Sequence, residues 1–179
     1  MNLKFKNTIL VILSLLTTVA TAQTTLWQTT NQKTPYRIPA IAKAKNGHLL
    51  AFADYRLDTR DIGYGEVDMY VRISTDNGSS WSNASCIADG TGNSGFNCGF
   101  GDAAVVADRE RNEVLVMCVA GNQVFGEGAS DKHNHMARIR GSYNEETDSW
   151  EWSTPEDVTK IFLNDSKALL PNAYTMFIA

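Results

Sequence analysis

Several groups of residues in this chain have types and spacings that could do chemistry. Ser74-Thr75-Asp76-Asn77-Gly78-Ser79-Ser80-Trp81 fits the pattern S-x-D-x-G-x-x-W. Its chemistry is that of a turn: an Asp side chain accepts hydrogen bonds from turn backbone, Gly relieves strain at a left-handed position, and Trp anchors the hairpin. The segment Ser142 to Trp150, ending Asp148-Ser149-Trp150, is a degenerate second copy. His133-Asn134-His135 could set two imidazoles on one strand face, as a metal pair would, but no third ligand stands at a recognisable spacing. Tyr36-Arg37-Ile38-Pro39 puts a guanidinium at the start of an apolar strand. Arg56 is followed five residues later by Asp61, with Asp58 between them. An arginine offers paired donors to a carboxylate, and an aspartate beside one is either a proton-transfer group or a solvated loop carboxylate. There is no phosphate-binding loop, no dinucleotide-binding glycine pattern and no Ser-His-Asp signal.

The elements that must position these residues read as strands. Ile38 to Ala44 and His48 to Tyr55 are apolar runs joined by Lys45-Asn46-Gly47, and Asn-Gly there signals a hairpin with positive φ in its turn. Val67 to Ser74 alternates, with Val67, Met69, Val71 and Ile73 on one side. Ala103 to Ala107 and Val114 to Ala120 form another pair, and Met136 to Tyr143 one more strand. No window after Gln23 gives a convincing amphipathic helix. The strands fall into two similar units that end on Trp81 and Trp150, and a repeated antiparallel sheet of this size implies propeller blades or a β-sandwich. Two blades do not close a ring, and the apolar run Leu169 to Ala179 ends without a turn, so the chain reads as truncated.

Composition bounds the partners. Of 179 residues 43% are hydrophobic and 20% charged, as in a globular protein. Lys4 and Lys6, the apolar run Thr8 to Leu16 and the small-residue site Ala20-Thr21-Ala22 have the layout of a secretory signal peptide, residues 1–22, cleaved before Gln23. The remainder carries 14 basic against 20 acidic side chains, net −6, which argues against nucleic acid or an anionic membrane as partner. Cys86, Cys98 and Cys118 are an odd number for an exported protein; a Cys86–Cys98 bridge is one arrangement, free thiols the other.

The run Tyr36-Arg-Ile-Pro-Ala-Ile-Ala-Lys-Ala-Lys-Asn-Gly-His-Leu-Leu-Ala-Phe-Ala-Asp-Tyr-Arg56 resembles bacterial members of the sialidase (neuraminidase) family. So do Asp61-Ile-Gly-Tyr-Gly-Glu-Val-Asp68 and Gly101-Asp102-Ala-Ala-Val-Val-Ala-Asp108, and the octapeptide ending at Trp81 is similar to that family's Asp box. The resemblance implies an all-β, six-bladed propeller, with residues 23–179 its N-terminal two to three blades. It implies an exo-α-sialidase that takes sialylated glycans, needs no cofactor or metal, and works in the periplasm or outside the cell, with no membrane contact once the signal is removed. By resemblance Arg37 is the first of three arginines that grip the sugar carboxylate, Asp61 is the general acid/base in preference to Asp58, and Arg56 and Asp102 line the O4 side of the sugar. The family's tyrosine nucleophile, its glutamate and the other two arginines come later than these residues, and Tyr174 lacks their pattern. The fragment alone is therefore expected to be inactive. A glycan-binding propeller without chemistry and a trans-sialidase are the alternatives.

Overall fold

In the computed structural model, residues 24–29, 35–57, 60–124, 127 and 133–163 are described. The proposed signal peptide, Asp58, Tyr174 and the apolar run Leu169 to Ala179 lie outside these residues. The first sheet contains β1 (Tyr36–Lys43), β2 (Leu49–Arg56), β3 (Val67–Ser74) and β4 (Ser85–Ala88), paired antiparallel in sequence order. The second contains β5 (Phe100–Ala107), β6 (Glu113–Ala120), β7 (His135–Asn144) and β8 (Ser149–Trp152) in the same order, with β9 (Glu156–Asp157) added to β7. A short helix, α1 (Thr159–Leu163), follows. Two four-stranded meanders packed face to face, each running from an inner to an outer strand, make a partial β-propeller.

Alternation along the strands builds the core between the sheets. Leu50 and Phe52 of β2, Met69 and Val71 of β3, Phe100 of β5, and Val114, Val116 and Cys118 of β6 share one buried cluster. Side chains two apart share a sheet face, so the face that buries Leu50 and Phe52 continues to Asp54 and Arg56. Both of these charged residues are buried, at 0% and 3% exposure. Beyond the core the sheets are tied by Trp150, whose indole N–H donates to His48 Nδ1 (3.2 Å), and by Lys45, which donates to the Glu110 carbonyl (2.7 Å).

The inner strands of the two sheets carry the same irregularity. The β1–β2 register shifts between Arg37 and Ala40, and the β5–β6 register between Gly101 and Ala104. Each shift contains a non-glycine residue at positive φ, Ile38 (48°) in β1 and Asp102 (58°) in β5. Such bulges bend a strand and re-aim a side chain, and positive φ is costly for a β-branched residue such as Ile38.

The turns refine the sequence reading. A two-residue turn of the primed kind needs positive φ at both central residues, yet only Gly47 of the Asn46-Gly47 pair has it (88°). Gly47 N donates to Ala44 O and Ala44 N to His48 O, which closes the hairpin with one extra residue. In the turn after β3, Asp76 Oδ1 accepts from Ser74 Oγ and Ser80 N (both 2.8 Å), and Trp81 Nε1 donates to Gly78 O. Hydrogen bonds from the Ser80 side chain and backbone, then from Ser74, hold the Asp76 carboxyl down at about 2. The repeat is offset from the one read in the sequence. Ser82 N donates to Ile73 O and its Oγ accepts from Ile73 N; Ser153 makes the same two bonds with Arg140. Trp152, not Trp150, therefore stands where Trp81 does. Its ring packs on Gly141 and edge-on to Phe52.

Candidate functional site

Strand β2 ends in Asp54-Tyr55-Arg56, and the loop after it returns Asp61 to the end of the strand. Arg56 Nη2 lies 3.2 Å from Asp54 Oδ2 and 3.1 Å from Asp61 Oδ1, so one buried guanidinium bridges the two carboxylates. Its Nε is buried with no hydrogen-bond partner among the described residues. Asp61 Oδ1 also accepts from Ile62 N (2.8 Å), while 54% of the Asp61 side chain remains exposed. One carboxylate oxygen of Asp61 is thus fixed by two donors, on a side chain that still reaches solvent. A group that must meet a ligand and exchange a proton needs both conditions.

Asp102 enters from the second sheet. It lies inside β5, which starts at Phe100, and within the bulge. Its backbone N–H donates to Asp54 Oδ1 (3.0 Å). The left-handed backbone at Asp102 is therefore held from across the sheet interface. Gly101, the preceding residue, passes so close that a Cβ there would sit 2.8 Å from Asp54 Oδ2.

The electrostatics follow from two carboxylates paired with one guanidinium and a third, Asp102, near enough to feel their charges. Burial, then the charge of Asp102, pushes the Asp54 carboxyl up to about 7, and the opposing Arg56 and Asp102 N–H do not cancel this. Asp102 is raised as well, first by burial and then by Asp61, with Arg56 opposing. Desolvation penalises the charged form of each, and a guanidinium already shared offers each only part of its compensation.

Arg37 lies in β1 with its Cα in register with that of Asp54, and its side chain is exposed. Among the described residues no carboxylate pairs with it. With Leu26, Trp27, Tyr36, Pro39 and Ala53 it lines a cavity of ≈320 Å³. The structure thus joins Arg56, Asp61 and, through its backbone N–H to Asp54, Asp102 in one hydrogen-bonded cluster and sets Arg37, an exposed cation with no carboxylate partner among the described residues, on the neighbouring strand. A larger groove of ≈630 Å³, bordered by Tyr70, Cys86, Phe100, Trp152 and Pro155, holds none of the four.

Sequence reasoning missed Asp54. The signal was there: an acid at the core-facing position of Leu49-Leu-Ala-Phe-Ala-Asp54, where a strand of this kind would otherwise bury an apolar side chain.

The other reactive residues have ordinary partners. His135 Nδ1 meets Asp157 Oδ2 (2.8 Å) and His133 Nδ1 meets Asn134 O (2.8 Å), so each imidazole of the pair already has a protein partner. Cys86, Cys98 and Cys118 are free thiols, with Cys98 and Cys118 buried. Among the described residues, Asp68, Cys86 and Asp89 have ligand atoms within 4.8 Å of one another, a spacing that a metal could use. Asp68 Oδ1 is already engaged by Gly90 N.

No family model matches the sequence, and no curated protein matches it. Solved structures do match its fold. A Trypanosoma rangeli sialidase in complex with 2,3-difluorosialic acid, described as a covalent intermediate, superposes with a TM-score of 0.61 at 18% identity over 79% of this chain and 25% of that one. A Hadza microbial sialidase, Hz136, gives 0.58 at 24% identity over 70% of this chain and 26% of that one. The T. rangeli sialidase in complex with the inhibitor DANA gives 0.54 at 19% identity, over 69% of this chain and 20% of that one. The chain spans about a quarter or less of the length of the sialidases it matches, and at these identities the likeness is one of fold: a partial sialidase-type propeller.

Proposed function

We propose that this chain is the first part of a secreted exo-α-sialidase and supplies the acid side of its site. The observation that carries the reading is Asp61, held through one oxygen by Arg56 and Ile62 N–H yet more than half exposed, with the exposed cation Arg37 in register with Asp54 on the neighbouring strand. A sialoside carries a carboxylate on its anomeric carbon. Arg37 is suited to grip that group, because a guanidinium stays charged and offers parallel donors. Asp61 then gives its proton to the leaving glycosidic oxygen and, in the second step, takes one from water. Arg56 and Asp102 meet the sugar hydroxyls. The attacking group lies outside the residues assigned here, so hydrolysis belongs to a chain that also carries the rest of the propeller. Export through residues 1–22 is part of the same proposal and fits an enzyme acting on surface glycans.

In a form that hydrolyses sialosides, Asp61→Ala should cut turnover of alkyl sialosides by about 10²–10⁴-fold. Aryl sialosides, whose leaving group needs little protonation, should lose far less. Equal losses on both would remove the general-acid role. Retained binding with no turnover by any form that carries a complete propeller would favour the glycan-binding alternative.

A further inference from the structure

We propose that Asp54 is a positioning residue, the buried anchor that fixes Arg56 and the Asp102 bulge together and so sets the geometry of the site across both sheets. As a statement about a sialic-acid site, it rests on the function proposed above. The argument from geometry does not. Asp54 is fully buried, and its two oxygens are divided between two tasks: Oδ2 accepts from Arg56 Nη2 (3.2 Å) and Oδ1 from Asp102 N (3.0 Å). Arg56 in turn holds Asp61 (3.1 Å). A single carboxylate therefore links a loop acid on the first sheet to a left-handed residue on the second (Asp102 φ 58°).

Burying an acid at this depth is unfavourable unless it is fully bonded, and the molecule reserves space for it. Gly101 has no Cβ where one would approach Asp54 Oδ2 to 2.8 Å. An apolar residue at position 54 would fill the same space without that cost, so the carboxylate's work is placement and not packing. The titratable and charged groups around it are Arg37 in register on β1, Arg56 on its own strand, Asp61 on the following loop, Asp102 on β5 and Cys118 on β6.

The experiment compares the full chain with Asp54→Asn and Gly101→Ala by ¹H–¹⁵N NMR across pH 5 to 9, and then with N-acetylneuraminic acid added. In the parent chain the Asp102 amide should titrate with a midpoint near the Asp54 value of about 7. The Arg56 Nη protons should exchange slowly. Asp54→Asn keeps an acceptor for Asp102 but turns an NH2 toward Arg56, so the Asp102 amide should lose the step near 7 and keep only that of its own carboxyl, and Arg56 exchange should speed up. Sialic acid affinity should fall roughly tenfold or more, the scale of a lost hydrogen bond to a charged group. Gly101→Ala displaces the carboxylate without altering residue 54 and should reproduce the Arg56 effect, which keeps the test open if Asp54→Asn does not fold. A folded Asp54→Asn or Gly101→Ala chain with unchanged Arg56 exchange and an unchanged Asp102 titration would overturn the proposal, whatever the sugar does. If Arg56 and Asp102 respond as stated while the parent chain ignores the sugar, the anchor stands and the sialic-acid reading falls.

Discussion

Asp54 and Asp68 are acids that the fold has taken largely out of water. Burial leads the causes for both, raising Asp54 from an ordinary 3.8 to about 7 and Asp68 to about 6. A carboxyl with a raised pKa binds more protons in the folded chain than in the unfolded one, so its stabilising contribution is present below about 4 and is lost as pH rises through the folded value. Thermal unfolding followed by circular dichroism should therefore show the melting temperature falling between pH 4 and 7. The slope should flatten in Asp54→Asn and in Asp68→Asn. Asp76 and Asp108 act in the opposite sense and at lower pH, because hydrogen bonds hold them below the usual range. A melting temperature that climbs from pH 4 to 7 would contradict the burial assigned to Asp54 and Asp68. The sequence carried part of this. Arg37, Arg56, Asp61 and Asp102 stand out in the sequence because their motifs resemble a family. The acid at the core-facing position 54 is visible as well, but its partner is not, because that pairing depends on a strand from the other sheet passing within hydrogen-bond reach.

Strands are fixed by alternation and turns by a few dihedral angles, and the two were unequally readable. Val67–Ser74 alternates cleanly and forms at those bounds. Ser85–Ala88, Ser149–Trp152 and Glu156–Asp157 are two to four residues long, too short for a period to register, and their pairing comes from β3 and β7 beside them. The bulges at Ile38 and Asp102 leave no local pattern, since neither is a glycine. Trp150 was matched to Trp81 because the residues before each look alike; hydrogen bonding of Ser82 and Ser153 selects Trp152 instead. The closeness of Gly141 to that ring gives a test at this scale. A Cβ on Gly141 would lie 2.5 Å from Trp152 Cζ3, so Gly141→Ala should cost about 1–3 kcal/mol in a denaturant titration, the usual range for overpacking. A neutral effect would mean that β8 is free to shift and that Trp152 does not lock the outer edge of the sheet.

Across the whole molecule, the two sheets are variations on one plan. Each sends a bulged inner strand to the same end, and each bulge delivers a different group: beside Ile38 the cation Arg37, and beside Gly101 the acid Asp102. A partial propeller brings together only the side chains of the blades it has. We propose that this share recognises a sugar carboxylate through Arg37, with Asp61 and Asp102 around it. The most direct measurement is an NMR titration of the full chain with N-acetylneuraminic acid and, in parallel, with its methyl ester. Shift changes should gather at Arg37, Arg56, Asp61 and Asp102 with the free acid, and most of them should be lost with the ester or in Arg37→Ala. Equal responses to acid and ester, or changes confined to residues away from these four, would contradict the proposal.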